Sequence, residues 1–295
     1  MGEAAAALRH HWPEYAIEAA GLGLFMISAG IAWTVLDAPE WLIAQMIPDP
    51  LPRRAVMGLV MGGTAVALIY SPWGRQSGAH FNPAVTLTFL RLRKIAPWDA
   101  IFYILAQCLG GLAGVLLVYA AMGGAFSRPP VEFIVTVPGA NGQAAAFLAE
   151  VAISFGLMLM ILYTSNRIPL MHYTGLLAGL LIALYVTFEA PLSGMSMNPA
   201  RTFASALPSG EWSGAWIYVA APILGMLSAV DAYRILTREH NVVCAKLSHH
   251  TPRRCIFDCG YRKHGIDVPA LVRNQPALPI RHPLAQLASG DGRVD

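Results

Sequence analysis

Asn82 and Asn198 each stand directly before a proline and an alanine, as Asn82-Pro83-Ala84 and Asn198-Pro199-Ala200. Asparagine is a good N-cap: its side-chain oxygen accepts a backbone N–H of the next turn, proline suits the first helical position, and alanine allows close helix contact. The amide NH2 of each asparagine is then free to donate to a passing molecule. Arg201 follows the second copy immediately. A helix that begins in mid-membrane aims its positive dipole end at whatever passes, and here an arginine reinforces it. Two such helix starts reward a neutral solute carrying an oxygen and repel cations. A water held by both amides is also turned out of the chain of donors and acceptors that proton hopping needs.

The flanks repeat too. Ser77-Gly78-Ala79-His80-Phe81-Asn82-Pro83-Ala84-Val85-Thr86 and Ser193-Gly194-Met195-Ser196-Met197-Asn198-Pro199-Ala200-Arg201-Thr202 share serine, glycine, asparagine, proline, alanine and threonine in identical register. One Asn-Pro-Ala is an ordinary turn before a helix. Two copies with matched flanks, each between long apolar segments, mark paired half-helices at a repeat interface.

The elements that must position them are apolar. With 295 residues, 56% hydrophobic content and 13% charge, the chain is too apolar for one soluble core and fits a polytopic membrane protein. A net charge of +3, with basic residues scattered and no dense patch, argues against a nucleic-acid partner. Six spans are expected, from about Tyr15 to Leu36, Arg54 to Tyr70, Ala100 to Ala121, Ala144 to Tyr163, His172 to Phe188 and Trp212 to Tyr233. The segment before Tyr15 has no short apolar region with a cleavage site, so the first apolar run reads as a retained anchor. The half-helices, the second running from Asn198 to about Leu207, are too short to cross, and irregular backbone at that depth is tolerated only where it lines a cavity.

Ala149-Glu150-Val151-Ala152 echoes Ile17-Glu18-Ala19-Ala20, so each half pairs an early glutamate with a later Asn-Pro-Ala. A repeat with an odd number of spans sets its two copies in opposite orientation. The expected fold is therefore an all-α membrane protein of six transmembrane helices and two re-entrant half-helices in an inverted repeat. Its parts are an N-terminal segment 1–14, a channel domain 15–237 with repeats at about 15–121 and 144–237, and a tail 238–295. Six spans put both ends on one side. Outside Arg234 and the tail, Arg9, Arg75, Arg91, Arg93, Lys94 and Arg167 lie on that side against Arg53, Arg54 and Arg128 on the other, which makes the termini cytoplasmic and the host a plasma (cell inner) membrane.

These motifs resemble the major intrinsic protein family, the aquaporins and glycerol facilitators, over about Tyr15 to Thr237; the last 58 residues fall outside the resemblance. The resemblance implies a pore in every protomer, half-helices meeting at their Asn-Pro-Ala ends in mid-bilayer, and a homotetramer. It implies water and small neutral solutes as cargo, and it assigns Arg201 to an outer constriction. By the same correspondence Val186 and Met195 are two further walls. Met57 is the candidate in segment two from Met57-Gly58-Leu59, with Met61 or Gly62 as alternatives, because the linker from segment two to the first motif is about five residues longer than the family pattern.

Water-selective members usually carry histidine where this chain has Val186, and an aromatic in segment two, so a looser filter is expected here. Thr202 stands where glycerol facilitators carry aspartate, and Ala206 where they carry a basic residue; Tyr218 and Val219 give a mixed answer. Glu18 and Glu150 would be costly in lipid and must face the protein interior. The static reading has each accept hydrogen bonds from a re-entrant loop and brace it; a proton-coupled transporter would need them to change partners.

Of four cysteines, Cys108 lies in an apolar helix and reads as packing, and the other three lie in the tail, which is no disulfide framework. In a reducing cytoplasm the tail cysteines would be thiols. Cys255 and Cys259 loosely meet the spacing of structural zinc ligands, and Cys244 with one of His249, His250 or His264 would complete four, His249 being the candidate. An ordered cap without metal, or plain disorder, are the alternatives, and beyond Gly265 a flexible tail is expected. No nucleophile-and-base pair, phosphate-binding loop or paired catalytic carboxylates occur, so no enzyme or catalytic residue is expected. A passive channel, a scaffold or sensor with a closed or tail-gated pore, and a coupled transporter remain.

Overall fold

The computed structural model describes residues 2–239, 241–249 and 253–263. Among these every regular element is helical. Six helices are long and apolar enough to cross a membrane. They are α1 Glu3–Asp37, α2 Pro50–Tyr70, α4 Pro97–Met122, α5 Gly142–Ser165, α6 Thr174–Phe188, whose span is extended to Met171 by a 3-10 turn, and α8 Ile217–Thr237, with half-helices α3 Pro83–Arg91 and α7 Pro199–Ser209 between them.

The boundaries differ from the sequence expectation where local chemistry prevails. Residues 3–14 continue the first span as helix: α1 begins at Glu3, because Ala4 to Ala7 and Leu8 are strong helix formers, and it runs on through Pro13. Asp49 caps α2, its carboxylate accepting from Leu51 N at 2.9 Å, with Pro50 at the first position. The last span starts at Ile217; residues 212–216 form a turn. The long linker after α2 is taken up by a short helix, Pro72–Ser77, capped by Ser71, whose hydroxyl accepts from Gly74 N. Ala190–Ser193 is its shorter counterpart in the second half. The expected flexible stretch beyond Gly265, with His250 and His264, lies outside the described residues.

Packing follows the repeat. Helix α1 packs on α4 as α5 packs on α8, α2 meets α6 between the two halves, and each half-helix packs on the last span of the other repeat, α7 on α4 and α3 on α8. Small residues set these distances, as expected where lipid gives helices no hydrophobic drive to associate. A Cβ on Gly110 would come within 2.0 Å of the Ala19 carbonyl oxygen, and one on Gly225 within 2.4 Å of the Val151 carbonyl oxygen. Ala19 and Val151 each follow one of the repeated glutamates, so the two crossings are equivalent. Backbone cannot give way as a flexible side chain can. Gly110→Ala is expected to destabilise the α1–α4 crossing by about 1–3 kcal/mol or more. The check is a lowered melting temperature by fluorescence-detected size exclusion, with Cys108→Ala, at a half-buried site beside it, close to the parent.

Candidate functional site

Two loops enter the bundle from opposite ends and end at the asparagines. Each makes the same departure from ordinary backbone: Gly78 and Gly194 take positive φ of 96° and 82°, and then Ala79, Phe81, Met195 and Met197 take φ of 56°, 47°, 53° and 53°. Four non-glycine residues in the left-handed region cost of order 1 kcal/mol or more each and persist only where the surroundings hold them.

The two glutamates supply that hold. Fully buried, Glu18 accepts from Ser77 Oγ at 2.7 Å, His80 N at 3.2 Å and Phe81 N at 2.6 Å, and also from Gln107 Nε2 at 2.8 Å. Glu150, buried likewise, accepts from Ser193 Oγ at 2.9 Å, Ser196 N at 2.6 Å and Met197 N at 2.8 Å. Two buried tyrosines, one for each brace, complete them from the last span of the same half. Tyr103 Oη donates to the Ser77 carbonyl at 2.7 Å and Tyr218 Oη to the Ser193 carbonyl at 2.6 Å. Sequence reasoning missed this tyrosine pair. The available signal was their near-equal separation from Asn82 and Asn198.

At the loop tips Asn82 Oδ1 accepts from Ala84 N at 2.8 Å, and Asn198 Oδ1 from Ala200 N at 3.1 Å and Arg201 N at 3.3 Å. The amide groups are not wholly free, a correction to the expectation above. Asn82 Nδ2 donates to the Met197 carbonyl at 2.7 Å and Asn198 Nδ2 to the Phe81 carbonyl at 2.8 Å, so each tip ties down the opposite loop. An amide has two N–H bonds. One of each pair is spent on this cross-tie and the other remains for a solute.

Both asparagines line a cavity of about 660 Å³ that extends from Asp37, Pro50 and Arg53 at one end to Leu68, Ile161 and Leu247 at the other. Arg201, Val186, Met195, Met57 and Met61 line it, and Gly62 does not. Helix register sets the two methionines at different depths. Arg54 Nε donates to the Thr187 carbonyl at 3.2 Å, and a Cβ on Gly62 would meet the Gly179 carbonyl oxygen at 2.4 Å. Antiparallel pairing of α2 with α6 therefore sets Met57 within one turn of Val186 and Met61 about one turn deeper, within one turn of Ile182. Arg201 lines the cavity, and its Nη1 is buried with no hydrogen-bond partner among the described residues. Thr202 turns away from the cavity: its Oγ1 lies 2.6 Å from Ser196 Oγ. Pro83, Ala84, Pro199 and Ala200 form the first turns of the half-helices.

The model matching this architecture is that of the major intrinsic proteins, and it covers residues 12–233. The chain belongs to the major intrinsic protein family. Among curated relatives, the aquaporin NIP1-2 of Oryza sativa is 38% identical over 62% of this chain and 59% of its own length. Aquaporin-4 of Mus musculus is 34% identical over 63% of this chain and 57% of its own. The chain spans about three fifths of the length of the curated relatives it matches. The aquaglyceroporin structure from Plasmodium falciparum shares the fold of this family member, with a TM-score of 0.62 over 75% of this chain and 94% of that chain at 20% identity.

Outside the pore, Cys244, His249, Cys255 and Cys259 come together in the tail. Their ligand atoms all lie within 4.8 Å of one another, and all four side chains are buried. Cys108 is half-buried in α4.

Proposed function

We propose that this chain is a passive channel that conducts water and other small uncharged solutes and excludes ions and protons. The observation that carries the reading is the pair of cross-tied asparagines, each with one N–H left for a solute, where two helix N-termini face the same cavity. Two positive helix ends and Arg201 oppose a cation, while two donors at one depth reward an oxygen acceptor and orient it. The names of the relatives, aquaporins of the NIP and aquaporin-4 kinds and an aquaglyceroporin, agree with this class of cargo.

Val186, Met195 and Met57 line the same cavity as Arg201, and all three proposed walls are apolar. Such a ring grips water poorly and tolerates the carbon edge of a larger neutral solute, so water accompanied by urea-sized or glycerol-sized molecules is the proposed cargo. Glu18 and Glu150 are committed to their loops by three or more hydrogen bonds each, which supports bracing and disfavours proton coupling. Exposed leucines, such as Leu105, Leu109, Leu180 and Leu224, suit lipid or a neighbouring protomer, and a homotetramer in the plasma (cell inner) membrane with cytoplasmic termini is the proposed setting.

The test is light scattering of proteoliposomes under inward gradients of urea and glycerol. Re-swelling is expected, and Met57→Phe with Val186→His should cut it by about tenfold while sparing water, because two bulky rings narrow an otherwise apolar ring. Unchanged re-swelling in the double variant would remove Met57 and Val186 from the filter.

A further inference from the structure

We propose that Cys244, His249, Cys255 and Cys259 bind one zinc ion, and that the ion fastens the tail across one mouth of the pore with Leu247 as the plug. The closure half of this proposal rests on the channel reading above; the metal site does not.

The donor set is that of a closed structural zinc site, three sulfurs and one imidazole nitrogen with no position left for a substrate. Cys244 Sγ and Cys255 Sγ are 3.6 Å apart, and Cys259 Sγ lies 3.1 Å from His249 Nε2. Tetrahedral bonds of about 2.3 Å to sulfur hold ligand atoms roughly 3.5–3.8 Å apart, so the cluster needs only a small adjustment to take an ion. The sulfurs are too far apart for a disulfide, whose bond is about 2.05 Å. Soft thiolates with one imidazole select zinc over the oxygen-loving divalent cations.

Lys246 lies beside the cluster in the chain and is 2% exposed, its Nζ donating to the Arg254 carbonyl at 2.8 Å and so tying the two ligand-bearing stretches together.

The segment also has little else to fold it. Among the described tail residues beyond α8 the only regular element is the four-residue turn of helix Gly260–Lys263, yet Val242 to His249 are all buried. A metal is the usual means of ordering so short a module.

What the cluster orders is a lid. Leu247 N donates to the Gly78 carbonyl at 3.1 Å, His80 Nε2 lies 3.0 Å from the Ala245 carbonyl oxygen, and the Phe257 ring stacks on the His80 ring at 5.4 Å. Val243 N donates to Asn166 Oδ1 at 2.6 Å, Asp258 N to the Lys94 carbonyl at 2.9 Å, and Arg254 pairs with the buried Glu14. The lid therefore spans α1, the first re-entrant loop, the exit of α3 and the end of α5. Leu247, flanked by these anchors, lines the pore cavity itself.

The experiment uses the full chain, purified without chelator and reconstituted. Zinc should be present at one per chain, fall in Cys255→Ser and Cys259→Ser, and exchange for cobalt with the visible and near-ultraviolet bands of a tetrahedral thiolate site. Water permeability of the loaded protein should rise at least about fivefold when a membrane-permeant chelator is added, and fall again when zinc is restored. Leu247→Ala should be permeable with or without the ion. Absence of bound metal in the folded protein, or a disulfide among these cysteines in its place, would overturn the site. Metal bound but permeability indifferent to chelation, with Leu247→Ala no faster, would overturn the closure. If metal binds and no form conducts water, the channel reading fails with the closure and the zinc site stands. Should the serine variants not fold, the cobalt spectrum of the unmodified chain decides the metal site alone.

Discussion

Glu150→Leu is expected to yield no monodisperse protein. The substitution strands three buried donors, Ser193 Oγ, Ser196 N and Met197 N, beneath a loop whose Met195 and Met197 already sit in the left-handed region. A buried donor without a partner costs about 1–3 kcal/mol, so the three together cost about 3–9 kcal/mol against a stability of order 5–15 kcal/mol. Glu150→Gln keeps one acceptor oxygen but turns an NH2 toward a donor, so it should fold with a lower melting point. The same variant separates bracing from proton coupling. With a braced loop, solute flux through Glu150→Gln keeps the pH dependence of the parent; a transporter that loads a proton on Glu150 would lose it. Glu18→Leu should behave alike, since Glu18 holds the equivalent three donors and Gln107 besides.

Arg201→Ala should loosen selection. The guanidinium lines the same cavity as the asparagines, and its Nη1 has no hydrogen-bond partner among the described residues. A unit charge about 4 Å from a passing ion contributes about 4 kcal/mol at an effective dielectric near 20, so losing it should raise cation leak by tenfold or more. Leak should remain far below that of an ion channel, because the ends of α3 and α7 keep their dipoles. Urea and glycerol should pass faster as the vacated volume widens the ring. Potassium flux measured by a fluorescent indicator in proteoliposomes gives the first effect and re-swelling rate the second. Unaltered cation leak and re-swelling would take Arg201 out of the constriction.

The parts legible in the sequence were those whose chemistry is local. An asparagine cap, a proline at the first helical position and a small third residue specify a helix start wherever they occur, and their repetition at 82 and 198 exposed the inverted repeat. Glu18 and Glu150 stood out because a carboxylate in an apolar run must find donors. What stayed hidden depends on register or on distant partners. Tyr103 and Tyr218 look like packing in an apolar helix until the loops arrive beneath them. Met57 was the sequence candidate with Met61 and Gly62 as alternatives, and that both methionines but not Gly62 line the cavity depends on helix register. The cross-ties from Asn82 to Met197 and from Asn198 to Phe81 join residues more than a hundred positions apart, and local capping rules say nothing of them. His249 was the candidate histidine from the sequence, but the path of the tail over Gly78 and His80 that brings it to Cys259 is one no spacing rule supplies.

The most direct test of the pore records water and proton flux in the same proteoliposomes, with Leu247→Ala relieving any closure by the tail. Osmotic shrinkage is followed by light scattering, and internal pH by a trapped dye under an imposed pH gradient. The paired asparagines predict fast shrinkage with weak temperature dependence and a proton flux no higher than that of empty vesicles. Proton flux that rises in step with water, or shrinkage no faster than that of bare lipid from folded protein, would contradict it.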